Sequence, residues 1–405
     1  MKFIVTAGQL KKGLKAAIEV ATKGVVKDFE HANKLTLNAA KTEVIATANG
    51  GRLSLSVKLS DIDDPNLDYS CETPGEISVS ASDFASNLDA FDPKSTIIVS
   101  GDSKELIIAS AADKEIFQAL PVLPDSVKTP EVATSFEKEV EITRSSFLEG
   151  FNKVFYAIGF EANRDQYLYW QLRTSTEIAR FAAGTGARFA VYNIEGKAVK
   201  GSSNHEFLLP KDQSPVIANI LSDCDGDYVK ISASSASTPP QMVFTVDTTR
   251  VILTGIDFNI KWPNIDPLLK ATRVARVETR AEDWAYAVKG LWATFNNELK
   301  KQNEIHQSDI SLDFDKNNIN IKTDGKLRAN RKVPITDIKA KTDDAVFHCC
   351  TTHIKEFIDR VDKNDKVFVE YVSSDKPLFF VLEKTNSDVS GLSRQFLAFF
   401  ASLRT

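Results

Sequence analysis

His348-Cys349-Cys350 with His353 is the one cluster of cysteine and histidine in this chain, and thiolate with imidazole at close spacing is what zinc binds. A structural zinc site separates its cysteines by about two to four residues, whereas neighbours at a strand end point to opposite faces. The segment therefore reads as a strand entering a helix. Asp223-Cys224-Asp225-Gly226-Asp227 and Asp313-Phe314-Asp315-Lys316-Asn317 open like calcium loops. Neither supplies both the Gly and the closing Glu that such a loop needs, so both read as turns. Gly184-Thr185-Gly186-Ala187-Arg188 lacks the third Gly of a dinucleotide fingerprint and runs into a strand-like stretch. A phosphate loop, a Gly-x-Ser-x-Gly elbow and a His-Glu-x-x-His pair are all missing. With five histidines and no credible nucleophile beside them, no catalytic residue, metal ligand or cofactor is assigned.

The elements around these residues say more. The chain has 405 residues, 42% hydrophobic and 26% charged, which excludes wholesale disorder and suggests two to four domains. Fifty Lys and Arg against 55 Asp and Glu leave a net charge of −5, so tight phosphate binding over the whole surface is not expected. Apolar runs are too short to span a membrane, and the start of the chain alternates like a strand rather than a signal peptide. Cys71, Cys224, Cys349 and Cys350 are too few for a disulfide framework, which suits a cytoplasmic protein with reduced thiols.

The sequence repeats about every third of its length. Phe3-Ile4-Val5-Thr6 leads into Leu10, Gly13, Leu14 and Ala17; Val140-Glu141-Ile142-Thr143 leads into Phe147, Gly150, Phe151 and Val154. Val277-Glu278-Thr279 leads into Trp284, Val288 and Leu291. Thr6 and Thr143 lie 137 residues apart, as do Gly13 and Gly150. Each opening predicts a strand and an amphipathic helix, with Thr6, Thr143 and Thr279 as N-caps or pre-caps. Alternating strands follow, and then a second strand–helix unit: Glu76–Val79 into Ser82–Phe91, Glu206–Leu209 into Lys211–Leu221, Ala345–His348 into Thr352–Val361. Pro-bearing segments near 121–130 and 262–267 suit linkers. The fold class expected is α+β: three similar domains, 1–128, 129–268 and 269–405, each a doubled strand–helix–strands unit with mainly antiparallel strands. Lysines gather on the first helix (Lys11, Lys12, Lys15, Lys23), a solvated face on the plainest reading.

Three doubled α+β domains in this length resemble the bacterial DNA polymerase III beta subunit, the sliding clamp. The opening Met1–Ala17 is similar to that family's first strand and helix, and Ala183–Val191 to its second-domain signature. Phe258–Asn264 resembles the segment closing that domain, and Phe399–Thr405 the terminus. The resemblance implies a non-catalytic, cytoplasmic processivity factor, in a bacterial cell or in the host of a virus. It implies a head-to-tail homodimer closed into a ring around double-stranded DNA, helices lining the hole, tethering a polymerase and its clamp loader. Carried over by position, a pocket for a partner's short peptide would use Leu168, Gly186, Arg188, Phe189, Pro263, Leu268, Phe399 and Leu403, with Arg188 and Arg404 at its rim. DNA contacts would fall on Lys27, Arg164, Tyr167 and Lys211, and the dimer joint on Phe117 with Leu291 and Phe295. Ala187, Phe189 and Ser402 depart from the family's usual His, Leu and Pro, which implies a different peptide preference. Two other readings stand beside it: a structural repeat module with no ring, and a metal-dependent enzyme using His348 and His353.

Overall fold

A computed structural model describes the chain except residues 25–31, 62–68, 125–127, 160–163, 177, 196–198, 201–203, 300–306, 325–327, 343–344, 375, 383–384, 387–392 and 401–405. The fold is α+β, with mainly antiparallel sheets. Its α-helices are α1 (Ala7–Thr22), α2 (Ala81–Leu88), α3 (Arg144–Val154), α4 (Ser214–Asp223), α5 (Asp266–Leu269), α6 (Ala281–Leu299) and α7 (Thr351–Ile358). All but α5 follow directly, or within a few residues, on a strand, at the six places where the repeat expects a strand–helix unit. The opening strand Lys2–Thr6 buries alternate residues, Phe3 and Val5, and α1 then buries Leu10, Leu14 and Ala17 on one face.

The threonines at these junctions behave differently from one another. Thr6 is the N-cap residue of α1 but makes no side-chain cap. Thr143 donates to Ser146 Oγ at 2.6 Å. Thr279 is fully buried, donates to the Val367 carbonyl at 2.7 Å and accepts from Trp284 Nε1 at 2.9 Å. It therefore serves the buried indole rather than capping α6.

Two compact units emerge, and each takes part of the middle third: Met1–Leu148 with Asp212–Asn259, and Glu149–Lys211 with Ile260–Thr405. The cause is strand pairing between thirds. In the first unit Thr249–Leu253 pairs antiparallel with Leu53–Val57, joining Lys138–Thr143, Tyr228–Ser234, Gln241–Val246 and Thr249–Thr254 to Leu53–Asp61, Glu43–Asn49, Lys34–Ala39 and Gly75–Ser80 in one sheet. A second sheet there runs Ser70–Thr73, Lys2–Thr6, Thr96–Gly101, Glu105–Ser110, Phe117–Pro121. In the second unit Arg188–Glu195 pairs with Ser393–Phe400 along its whole length. That ladder continues a sheet from His205–Pro210 at one edge to Asp337–Ala340 at the other. A four-stranded sheet, Arg328–Pro334, Asn318–Asp324, Gln307–Asp313 and Val346–Cys350, completes it.

The repeated glycines have a packing reason. A Cβ on Gly150 of α3 would lie within 2.5 Å of the ring of Phe181, which is fully buried. A Cβ on Gly13 of α1 would meet the tip of the Leu59 side chain. Both let a helix lie close on a strand. Gly150→Ala is expected to destabilise its unit by about 1–3 kcal/mol, because a caged ring cannot yield. Gly13→Ala is expected to be nearly neutral: the Leu tip can turn, and helix propensity favours Ala by about 1 kcal/mol. Urea unfolding of both variants checks the contrast.

Candidate functional site

The hairpin of Ile178–Gly184 and Arg188–Glu195 positions the site. Its turn is held by Thr185, whose amide donates to the Arg188 carbonyl at 2.7 Å and whose Oγ1 accepts from the amides of Ala187 and Arg188. The Gly184–Arg188 run is thus a hairpin turn. Register then sets Phe189 opposite Phe399, and the two rings stack at 5.0 Å. Trp262 meets Phe189 edge-on at 5.8 Å, and its Nε1 donates to the Tyr169 carbonyl at 3.1 Å. Phe379 and Leu397 extend the cluster, and Leu268 and Leu269 of α5 pack against it. Phe189, Leu268 and Phe399, expected to act together, are therefore in one apolar cluster. It is already filled by its own side chains: Phe189 and Trp262 are each 8% exposed. Pro263 follows Trp262 and is half-buried.

Arg188 is not on this surface. Neighbours on a strand point to opposite faces, so with Phe189 on the cluster Arg188 lies on the other side. There it is buried, ion-paired with Glu356 of α7, and donates through Nη2 to the Tyr156 carbonyl at 2.9 Å. Its expected place at the rim is corrected to an interior tie between α7 and the turn that follows α3. The guanidiniums of Arg188 and Arg360 lie 5.8 Å and 4.1 Å from the Tyr156 ring, and its buried hydroxyl has no hydrogen-bond partner. Burial pushes the Tyr156 phenol well above its ordinary range. His353, stacked on Phe400 at 6.1 Å, is pushed down to about 4 by burial and by the charge of Arg188.

The residues expected at DNA and those expected at the peptide adjoin one another. Leu168 closes the 3-10 turn Asp165–Leu168, and its carbonyl accepts the Lys211 amide at 2.9 Å. Tyr167 reaches Phe189 edge-on at 6.2 Å, and its carbonyl accepts the Gly159 amide at 2.9 Å. Arg164 lies over Gly186, so close that a Cβ there would be 2.9 Å from its Nη1. Lys211 Nζ points back to the Gly159 carbonyl at 3.4 Å. Arg164, Tyr167, Lys211, Leu168 and Gly186 thus surround one turn at the margin of the apolar cluster. Lys27, Leu403 and Arg404 lie outside the described residues.

Of the residues expected at a dimer joint, Phe117 is 53% exposed beside Ile116 at 57%, on a strand at a sheet edge. Leu291 is wholly buried inside its own unit, which corrects its expected role as a contact. Phe295 falls on α6, with its side chain outside the described residues. Sequence reading missed Trp262, Phe379 and Leu397. Trp262 sat in a segment already singled out, but only strand register brings Phe379 and Leu397 to it.

The lysines of α1 are engaged rather than free. Lys12 pairs with Asp225 and Lys15 with Asp223 at 2.8 Å, both just past α4 or at its end. Glu19, one turn on, accepts from Asn219 of α4 at 2.9 Å. Lys11 lies 3.5 Å from Asp89 and Lys23 3.7 Å from Glu19. The hydrogen bond to Asp223 raises the Lys15 pKa, and that from Lys12 lowers the pKa of Asp225. The Cys349-Cys350 segment is a strand, Val346–Cys350, entering α7. Among the described residues no three His, Cys, Asp or Glu side chains are gathered for a metal, and no helix is long and apolar enough to cross a membrane.

Neither a protein-family model nor a curated protein sequence matches the chain. Solved structures do. The beta subunit from the DNA polymerase of Streptococcus pyogenes superposes with a TM-score of 0.79 at 14% identity, covering 100% of both chains. The DNA polymerase sliding clamp from Bacillus subtilis gives 0.79 at 13%, covering 100% of this chain and 99% of the other. The DNA polymerase III subunit beta from Pseudomonas aeruginosa gives 0.78 at 14%, covering 100% of both. The chain has the sliding-clamp fold. At these identities the clamp fold is retained while most surface residues differ, so the site rests on this chain's own side chains.

His353 gives this region a pH signature. Its pKa is about 4 folded against 6.5 for an ordinary histidine, so between those values the unfolded chain binds the extra proton. The stabilising effect of the neutral ring is present above pH 6.5 and is lost as pH falls toward 4. Urea midpoints measured from pH 7.5 to 4 should drop more steeply for the unaltered protein than for His353→Gln; parallel curves would contradict this.

Proposed function

We propose that this protein is a DNA sliding clamp, a non-catalytic processivity factor. In this reading two copies join head to tail around duplex DNA and tether a DNA polymerase and its clamp loader through short peptides. The observation that carries it is the end-to-end match to clamp structures, covering 100% of this chain at TM-scores of 0.78 to 0.79. The domains would be 1–128, 129–268 and 269–405. Exposed Phe117 at the start of an edge strand, with exposed Ile116 just before it, supports a joint between copies, since an uncovered apolar edge invites a partner strand. The cluster of Phe189, Trp262, Leu268 and Phe399 would receive the peptide once its own side chains make room. Arg164, Tyr167 and Lys211 beside it would touch DNA loosely.

The net charge of −5 and the paired lysines of α1 are compatible with this role. Each Lys or Arg that neutralises a phosphate steepens the salt dependence of binding, and many such contacts would hold the ring at one place. Topological linkage needs few of them. A cytoplasmic site of action follows from the role rather than from any targeting segment.

The test combines solution mass with retention on nicked circular DNA, the protein being loaded by a clamp loader from the same source. The expected result is a particle of about twice the 44.8 kDa chain that stays on circles and is lost after linearisation. A monomer indifferent to DNA form would sink the reading in favour of a structural module.

A further inference from the structure

The short helix α5 has two sides. Leu268 and Leu269 pack on the apolar cluster, while Asp266 and the following Lys270 border a polar cleft of about 440 Å³. The cleft lies between α5, the ends of strands Tyr169–Thr174 and Ile178–Gly184, and the start of the edge strand His205–Pro210. Arg173 and Arg180 are direct cross-strand partners, so both stand on the same face. Arg180 is two residues along its strand from Ala182 of the apolar cluster, about 7 Å away on that face.

One carboxylate serves both arginines. Asp266 Oδ2 lies 3.0 Å from Arg173 Nη1, and Oδ1 lies 2.6 Å from Arg180 Nη1. Burial opposes ionisation of Asp266, but the two guanidiniums outweigh it and hold its pKa below the usual carboxylate range. A tie between α5 and the sheet requires only one such pair. The second guanidinium and the exposed Lys270 ammonium are in excess of that need. Glu206 also lines the cleft, accepting from Gln171 at 2.6 Å, and among the described residues the cations Arg173, Arg180 and Lys270 outnumber Asp266 and Glu206. Each guanidinium carries five N–H donors, more than the bonds to Asp266 and Asn193 engage. Thr174, whose buried Oγ1 has no hydrogen-bond partner, lines the same cleft.

We propose that this cleft receives an Asp or Glu side chain of the same partner peptide whose apolar residues occupy the cluster on the other side of α5. The proposal rests on the peptide reading given above. A carboxylate suits the cleft because Asp266 already accepts from both arginines, one bond from each, which leaves further N–H donors of each guanidinium for a second carboxylate. A nucleotide suits it less: among the described residues no Phe, Tyr or Trp lines the cleft to stack a base, and His205 is its one aromatic ring. The occupant is then a peptide with acidic residues flanking its apolar anchors, and the cleft adds selectivity to an apolar site that alone would discriminate poorly.

The probes are fluorescein-labelled peptides with a Leu-Phe anchor flanked, on either side, by three Glu or by three Gln. Binding is read by anisotropy at low and high salt. The Glu-flanked peptide is expected to bind about two- to fivefold tighter in low salt, the range of a partly exposed ion pair. That advantage should disappear in 0.5 M salt, on the scale of screening at about 4 Å, and in the double variant Arg173→Gln, Lys270→Gln. Both residues have exposed side chains, and Arg180–Asp266 remains to hold α5. The Gln-flanked peptide should bind the variant as it binds the unaltered protein. Equal binding of the two peptides would overturn this inference while leaving the apolar site standing. Failure of both peptides to bind would overturn the peptide reading itself. Inorganic phosphate binding to the cleft, with the two peptides equal, would make it a small-anion site and also overturn the proposal.

Discussion

Strand pairing between sequence-distant thirds is the constraint on which the rest depends. A strand edge left bare exposes a row of backbone donors and acceptors, and each third of this chain would have such edges if it folded alone. Arg188–Glu195 meets Ser393–Phe400, and Thr249–Leu253 meets Leu53–Val57, so those edges become sheet interior. Everything at the candidate site follows from the first of these ladders. It places Phe399 against Phe189, gives Trp262 a floor to pack on, and sends Arg188 to the opposite face. Breaking that register by one residue would exchange the two faces, putting a guanidinium in the apolar cluster and a phenyl ring beside Glu356.

Charge is arranged locally, not globally. The lysines of α1 read along the sequence as a solvated basic face, and Asp223 and Asp225 lie against two of them. These are exposed pairs, each worth little to stability. Their effect is on the field: they quench a basic stripe that would otherwise attract phosphate strongly. In the other unit, among the described residues, Arg173, Arg180 and Lys270 outnumber Asp266 and Glu206 at the cleft beside α5. An acidic chain can thus hold both a quenched helix and a cationic cleft.

The sequence made the architecture legible because its signals were local. Alternation in Lys2–Thr6, the apolar stripe of α1, and the return of Gly13 as Gly150 all act over one element, where side-chain period alone decides the outcome. The apolar members of the candidate site were legible for the same reason, through a resemblance carried by short segments. Two expectations changed where the outcome depended on more than one element. The hydroxyl of Thr279, at the pre-cap position, is drawn off to a buried indole, and Arg188 lies on the face away from the apolar cluster.

What the sequence determined by itself, then, is the order of elements, the six strand–helix units and the residues that must be buried. Periodicity fixes which face of an element is apolar, and that is a property of the element alone. Only the tertiary structure decided which faces meet. It brought Arg164, Tyr167 and Lys211 to the same turn as Leu168 and Gly186, and it gave Asp266 two arginines from neighbouring strands. It also closed Phe189 under Trp262. These are contacts between residues far apart in the chain, set by strand register and by the path of the segment carrying α5, and no local pattern encodes them.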